Sequence, residues 1–281
     1  MNIYQKFSDC SNDKWLSLLQ RSVREPFIEG IEFPRFPHSS IQIGYNGAAD
    51  EEGMSRAHAF WLYAEGYARA LGNPLSGASR VLDVGCGWGR ISRLFARDVL
   101  PENIQGVDID PNAITLCKYL GVPGQFTLTK PGAALPFPDG HFSMITASSV
   151  FTHLPEGVAT GLAAELSRVM APGCVFVFTV EDESFLGNMA KMTVDNDSDR
   201  WRMISSHKGN LESFWKKYKS GEYIYMTTND DSEQFRTSDV YGDALIPQAW
   251  MKKHWANYFS LVAFEPARPE IYQAVVIARK L

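Results

Sequence analysis

Long apolar runs, paired cysteines and secretion signals are all missing from this chain of 281 residues. No apolar stretch of about 18 residues occurs, so we expect no membrane-spanning helix and no membrane partner. The 4 cysteines form no Cys-x-x-Cys pair and do not cluster with histidines, which argues against a zinc site and against a disulfide framework. The N-terminal residues lack the apolar core of a signal peptide. These absences predict a reduced, cytoplasmic protein with no metal site.

Positive charge is also scarce. The formal net charge is -5, and the densest basic patch, residues 215–219, is short enough to be one solvated helix face. Because nucleic-acid binding requires concentrated positive charge, we expect no nucleic-acid partner. Apolar residues make up 45% and charged residues 21%, as in ordinary globular proteins. The length suits one large α/β domain with additions, or two small domains.

One stretch, residues 80–90 (RVLDVGCGWGR), has the pattern of a strand, a glycine-rich loop and a helix. The apolar run at 81–84 is typical of a parallel strand covered on both faces. The loop that follows contains Gly85, Cys86, Gly87 and Gly89. Because the three glycines have no Cβ atom, the loop can adopt positive φ there and let a ligand approach the backbone. Apolar residues at 91, 94 and 95 then predict a helix whose N-terminus points at that ligand.

A second strand is predicted at 104–108 (IQGVD), and it ends in an acid, Asp108. An acid at this place can accept two hydrogen bonds from a ribose diol. Loop and acid together predict a nucleoside cofactor, without saying which one. The spacing is G-x-G-x-G rather than G-x-G-x-x-G, and Asp83 would bring negative charge to a pyrophosphate. Both features argue against the rival hypothesis of an NAD-dependent oxidoreductase.

In these features the chain resembles the class I S-adenosylmethionine-dependent methyltransferases. The resemblance covers about residues 78–180 and depends on four motifs in family order: 81–89 (VLDVGCGWG), 106–110 (GVDID), 135–142 (LPFPDGHF) and 166–173 (LSRVMAPG). It implies an α/β fold with a doubly wound, Rossmann-like sheet of seven strands, mostly parallel with an antiparallel last strand. An N-terminal helical region and an insertion after the fifth strand would be added to it.

The resemblance implies S-adenosyl-L-methionine as the cofactor. The residues expected to bind it are Asp83, Gly85, Cys86, Gly87, Gly89, Asp108, Ile109 and Ser148. This cofactor is a sulfonium zwitterion without phosphates, so an acid beside its amino group is favourable, which gives Asp83 a role. The family commonly places an acid against adenine after the third strand. Residues 129–134 (TKPGAA) contain none, so backbone groups near 132–134 and apolar packing are expected to recognise adenine.

We expect four regions: an N-terminal helical cap at 1–75, the cofactor-binding core at 76–180, an insertion at 181–245 and the end of the core sheet at 246–281. The insertion has polar, turn-rich stretches at 195–200 and 228–233 with aromatic residues between them. Long excursions from a rigid scaffold often carry function, so it is expected to form a lid or an acceptor-binding element. The alternative is a dimerisation surface, which would make the protein a homodimer.

In the superfamily the region before the first motif often covers the cofactor. Gln42, Tyr45 and Asn46 are therefore candidates for lining the site, unless they form a surface turn packed on the sheet. His58 and Trp61, at helical spacing in the same region, could face the acceptor, but such a stripe is more often core.

The predicted fourth strand, 142–147, delivers residues 148–153 (SSVFTH) to the crevice where open sheets bind ligands. We expect Phe151 and His153 to face the acceptor. Methyl transfer is an in-line displacement, and a hydroxyl acceptor must also lose a proton. His153, with its near-neutral unperturbed pKa, is the predicted catalytic base. Packing beside the next helix is the alternative role for this side chain, and the other candidate bases are His207, His254 and Glu183.

The sequence thus predicts methyl transfer, in the first place O-methylation, to a small molecule or a saccharide. Aromatic residues in the insertion would suit stacking on sugar or ring faces. A protein that binds the cofactor without turnover, as a partner subunit or sensor, would carry the same loop and acid. A product assay separates these two hypotheses.

Overall fold

The computed structural model describes residues 2–192, 204–227, 237 and 240–281. Its strands are β1 (Phe27–Ile28), β2 (Ile31–Glu32), β3 (Val81–Val84), β4 (Ile104–Asp108), β5 (Gln125–Leu128), β6 (Phe142–Ala147), β7 (Met170–Val180), β8 (Ile224–Met226), β9 (Asp243–Leu245), β10 (Phe259–Glu265) and β11 (Ala274–Lys280). Its helices are α1 (Ile3–Phe7), α2 (Asn12–Ser22), α3 (Ser39–Asn46), α4 (Asp50–Ala70), α5 (Pro111–Tyr119), α6 (Glu156–Val169), α7 (Glu183–Lys191), α8 (Leu211–Ser220) and α9 (Gln248–His254).

A seven-stranded sheet forms the centre of the molecule, with the strand order β10-β11-β7-β6-β3-β4-β5. Strands β3 to β7 run parallel to their neighbours in this group, whereas β11 is antiparallel to both β7 and β10. The predicted fold, a mostly parallel sheet with an antiparallel last strand, is confirmed. Strand β3 lies between β4 and β6, so the chain order reverses there and opens a crevice at the carboxyl ends of these strands.

Apolar side chains cover the sheet on both faces. In β7, Val175 and Val177 enter the cluster formed with the N-terminal helices, while Phe176 and Phe178 enter the cluster formed with α6 and α9. This alternation is the period of a β-strand, and it explains why the sequence of β7 is apolar almost throughout. His58 and Trp61 of α4 stack on each other inside the first of these layers.

The segment after the glycine loop differs from the prediction. Ser92–Arg97 forms a 3-10 helix, not an α-helix. The carbonyl of Leu94 accepts a hydrogen bond from the indole N–H of Trp15 at 3.0 Å, and the backbone N–H of Asp98 donates to Phe95 instead of Leu94. The N-terminal helix α2, which carries Trp15, thus draws this carbonyl out of an α-helical ladder.

Between β7 and β10, strands β8 and β9 form a small antiparallel sheet. Helices α7 and α8 pack on it around a third apolar cluster, and Leu245 of β9 bridges to Glu181 just after β7. The described part of 181–245 therefore has apolar packing of its own, attached at the end of β7. The polar stretches predicted at 195–200 and 228–233 lie outside the described residues. The proposed division of the chain into four regions stays a prediction.

Candidate active site

A cavity of about 570 Å³ lies at the carboxyl ends of β3, β4 and β6, within the size range of small-molecule sites. Its wall is built from distant parts of the chain: 44–46 in α3, the loop at 85–87, the end of β4 at 107–109, the loop 129–135, the segment 148–150 after β6, and residues of α6 and 240–241. The position agrees with the rule that open α/β sheets bind ligands where the strand order reverses.

Most of the predicted site residues meet in this cavity. Those that line it are Gly85, Cys86, Gly87, Asp108, Ile109, Ser148 and His153. Gly89 does not: a Cβ atom there would come within 2.7 Å of Val122, so this glycine allows the loop to pack closely on the segment after α5. Its predicted contact with the cofactor is thus replaced by a packing role.

Asp83 lies behind the glycine loop and is not on the cavity wall, which differs from the prediction that it contacts the cofactor directly. Its carboxylate accepts hydrogen bonds from the hydroxyls of Ser92 at 2.6 Å and Thr146 at 3.2 Å. Burial raises the pKa of Asp83 to about 6, although these two bonds and the charge of Arg90 oppose the shift. The acid ties β3 to β6 and to the 3-10 turn.

Asp108 is held in place by backbone donors on two sides. One carboxylate oxygen accepts from the N–H of Gly87 at 2.8 Å, and the other accepts from the N–H of Asp110 at 2.9 Å. The acid therefore orients the glycine loop and borders the cavity at the same time. A carboxylate fixed in this position is suited to accept hydrogen bonds from ribose hydroxyls.

Helix α3 lies across the glycine loop. The Tyr45 hydroxyl donates to Asp110 at 2.6 Å, and its ring would be 3.4 Å from a Cβ atom at residue 87. Tyr45 and Asn46 line the cavity as predicted, but Gln42 does not. The Gln42 side chain is buried and bonds to Pro37 and Asp50, so it fixes the junction of α3 with α4.

The loop at 129–135 faces the cavity, and α6 holds it from behind. Glu165 accepts from the backbone N–H of Leu135 at 2.6 Å, and Arg168 donates to the carbonyl of Leu135 at 3.1 Å. Arg168 also forms a bidentate pair with Glu165 and thereby lowers the pKa of that acid. Sequence analysis missed both residues as part of the wall, although Arg168 stands in the 166–173 motif. It also missed Arg90, the residue directly after the glycine loop.

His153 lines the cavity at the end of a 3-10 turn, Phe151–His153. Its Nδ1 lies 2.8 Å from the carbonyl oxygen of Gly242 and 3.8 Å from a carboxylate oxygen of Asp243, which is buried. The imidazole stacks on the Tyr241 ring at 4.5 Å. A carbonyl only accepts hydrogen bonds, so Nδ1 carries a proton and the basic nitrogen of the neutral ring is Nε2.

The other residues predicted for this part of the site do not line the cavity in the described part of the chain. Phe151 is wrong as an acceptor-facing residue, because its ring is buried against Phe178 and Trp255 in the core. The alternative bases, His207, His254 and Glu183, are absent from the cavity wall in the described part of the chain. Sequence analysis also missed Tyr241 and Asp243, because nothing in the local pattern connects them to His153.

Comparison with known proteins found similarity in the core of the chain. Residues 81–173 match the model of a family described as a methyltransferase domain. The match covers about a third of the chain, and it agrees with the resemblance of the core to the class I S-adenosylmethionine-dependent methyltransferases. The fold of this methyltransferase domain is similar to that of an S-adenosylmethionine-dependent methyltransferase from Mesorhizobium loti, with a TM-score of 0.52 and 16% identity over 76% of this chain and 96% of that one.

Two curated relatives resemble the methyltransferase domain in sequence. The 2-methyl-6-phytyl-1,4-hydroquinone methyltransferase of Synechocystis sp. is 36% identical over 34% of this chain and 30% of its own length. The fatty-acid O-methyltransferase of Mycolicibacterium smegmatis is 32% identical over 36% of each chain. The match thus spans about a third of the length of each relative.

The residues of the cavity fit S-adenosylmethionine, the cofactor that the resemblance implies. A Cβ atom at Gly85 would come within 2.5 Å of Val150, and one at Gly87 would lie 3.4 Å from Tyr45, so these glycines let the loop pack closely on its neighbours while its backbone borders the cavity. Asp108 stands at the end of β4, where ribose hydroxyls are bound in this fold. Backbone groups of 132–134 border the cavity, as expected for adenine recognition without an acid.

Within the described residues, no helix is long and apolar enough to cross a membrane. The same residues contain no group of three or more His, Cys, Asp or Glu side chains that could hold a metal ion.

Proposed function

We propose that the protein transfers the methyl group of S-adenosylmethionine to a hydroxyl oxygen of a small molecule with an apolar body. One observation carries the proposal: the 2.8 Å contact between Nδ1 of His153 and the carbonyl of Gly242, on the wall that also contains the glycine loop and Asp108. This contact leaves Nε2 as the nitrogen able to accept a proton from a hydroxyl.

The cofactor supplies an electrophilic methyl group on a sulfonium. The cavity wall aligns the acceptor for in-line attack, and such positioning can contribute about 7–11 kcal/mol. The acceptor hydroxyl loses its proton to Nε2 of His153. The imidazolium formed is stabilised at Nδ1 by the Gly242 carbonyl and by the carboxylate of Asp243, 3.8 Å away. A base placed in this way contributes on the order of 10²- to 10⁴-fold in rate.

An apolar acceptor is supported by apolar side chains on the cavity wall. They include Val150, Leu154, Val158, Leu162 and Val240. A saccharide, the other acceptor class predicted from the sequence, would need polar partners for several hydroxyls. The two relatives act, by their names, on a phytyl hydroquinone and on fatty acids, which are molecules with long apolar parts.

A product assay tests this proposal against the alternative of a cofactor-binding partner or sensor without turnover. The protein is incubated with S-adenosylmethionine and two sets of acceptors, prenylated or alkylated phenols and simple saccharides, and products are identified by mass. We expect a methylated phenol and an equal amount of S-adenosylhomocysteine. Methylation of saccharides alone would contradict the apolar acceptor, while cofactor binding without any product across both sets would favour the sensor.

A further inference from the structure

Helices α8 and α9 concentrate positive charge on the surface of a protein whose formal net charge is -5. The two helices contain one acid, Glu212, and five lysines that together form what we call the lysine surface: Lys216, Lys217, Lys219, Lys252 and Lys253. All five side chains are exposed, and none of them forms a hydrogen bond or an ion pair with another described residue. Other surface cations, such as Lys14 and Arg21, pair with a glutamate. The charge of the lysine surface is therefore available to an anionic partner.

The lysines of the two helices share one surface because the end of α8 contacts the start of α9. A Cβ atom at Gly221, which follows α8, would lie 3.2 Å from the Cβ atom of Ala249. Lys217 stands four residues before Gly221, and Lys252 and Lys253 stand three and four residues after Ala249. Residues at these spacings lie on the same side of a helix. Lysines from both helices therefore flank one contact.

This surface lies next to the wall of the cavity. Tyr223, two residues after Gly221, donates its hydroxyl to the carbonyl of Leu154 at 2.7 Å, and its ring packs edge-on against Trp250 at 4.9 Å. Leu154 follows His153, and both line the cavity. A partner bound by the lysines would thus be held beside the part of the cavity that contains the proposed base.

The apolar sides of both helices are already used inside the protein. Phe214, Trp215 and Tyr218 of α8 pack in the third apolar cluster. Trp250 and Met251 of α9 pack in the cluster on one face of the central sheet. The outward sides of the helices therefore present lysines, and a partner would be bound by charge. Such binding should weaken as salt is added, because exposed charges are screened.

We propose that the lysine surface binds the anionic head groups of a lipid membrane. Clusters of about four to eight basic residues on amphipathic helices are typical of such binding. A lipid surface is favoured over an acidic protein because an acceptor with an apolar body dissolves in lipid, and this choice rests on the proposed function. Peripheral binding needs no membrane-spanning helix. It departs from the expectations of no membrane partner and of a merely solvated helix face at 215–219.

Co-sedimentation with vesicles tests the proposal. One set of vesicles contains only neutral phosphatidylcholine, and the other also contains anionic phosphatidylglycerol. We expect the wild type to bind the anionic vesicles alone, and less at high salt. A triple variant, Lys217→Gln with Lys252→Gln and Lys253→Gln, should bind them about 100-fold more weakly, since each lysine near an anionic surface contributes about fivefold.

The matched control is a second triple variant, Lys6→Gln with Lys14→Gln and Lys118→Gln. It loses the same charge from exposed lysines on α1, α2 and α5, so it should bind like the wild type. Equal weakening in the two triple variants, or none in either, would overturn the proposal because binding would not depend on the lysine surface. A wild type that does not bind anionic vesicles would overturn it in favour of an acidic protein partner.

Methylation is assayed in parallel with a prenylated phenol dissolved in neutral detergent, where no anionic surface is present. Product in detergent without vesicle binding would overturn the docking proposal and leave the proposed function standing. Vesicle binding that depends on the lysine surface, without product from any acceptor, would support docking and contradict the proposed function.

Discussion

The two sides of the cavity are built in different ways. On the cofactor side, Asp108 accepts from the backbone of Gly87, 21 residues away, and both belong to neighbouring parallel strands and their loops. On the acceptor side, His153 contacts Gly242 across 89 residues, and the partner belongs to the segment that leads into β9. The cofactor side is a local motif, because pairing of the neighbouring strands β3 and β4 is enough to assemble it. The acceptor side exists only when the segment around Gly242 packs against the 3-10 turn that ends at His153.

The largest expected effect is a loss of turnover without a loss of cofactor binding, which would separate the acceptor side of the cavity from the cofactor side. His153→Ala removes the proposed base, so turnover should fall by about 10²- to 10⁴-fold while cofactor affinity stays nearly unchanged. Steady-state rates and calorimetry with S-adenosylhomocysteine measure the two quantities. Asp243→Asn keeps the shape of the partner and removes its charge, so it should reduce turnover less than His153→Ala does. Full activity of His153→Ala would show that the base is elsewhere or is not needed.

A second prediction concerns the support behind the glycine loop. The pKa of Asp83 is raised from 3.8 to about 6, so the folded protein binds this proton more tightly than the unfolded chain does. The stabilising contribution is complete below pH 3.8 and is lost as the pH rises through about 6. The stability of the wild type relative to Asp83→Asn should therefore fall by about 2–3 kcal/mol between pH 3.5 and pH 7.

Urea unfolding of both proteins at the two pH values measures this change. A difference between the proteins that does not vary with pH would show that burial does not perturb the acid.

The smallest of the three effects tests whether Asp108, on the cofactor side of the cavity, binds the cofactor. Asp108→Ala should weaken cofactor binding at least about tenfold, because bonds to a charged acceptor contribute roughly 1.5–3 kcal/mol each. The melting temperature should show that the protein still folds. Asp110→Asn is the matched control: Asp110 caps α5 and does not line the cavity, and asparagine is an equally good cap. Unchanged affinity of Asp108→Ala would mean that the strand or the cofactor is wrongly assigned.

Predictions from local pattern succeeded where the determinant was local. The strands β3, β4 and β7 lie where their apolar runs are, and the glycine loop borders the cavity. The predictions failed where a residue distant in the sequence contacts a backbone or side-chain group and changes its role. Trp15 takes the carbonyl of Leu94, and the expected α-helix becomes a 3-10 turn. Similarly, Asp50 engages Gln42, and Val122 fills the space beside Gly89, so neither residue contributes to the cavity wall.

By itself the sequence determined the fold class and the place of Asp108 and indicated a nucleoside cofactor, because glycines, a terminal acid and strand periodicity act over a few residues. It also singled out His153 as a candidate base. Only the tertiary structure decided which nitrogen of that ring is basic and which acid stands behind it. These properties depend on groups far apart in the chain, which the packing of residues 241–243 on the 3-10 turn after β6 brings to one wall.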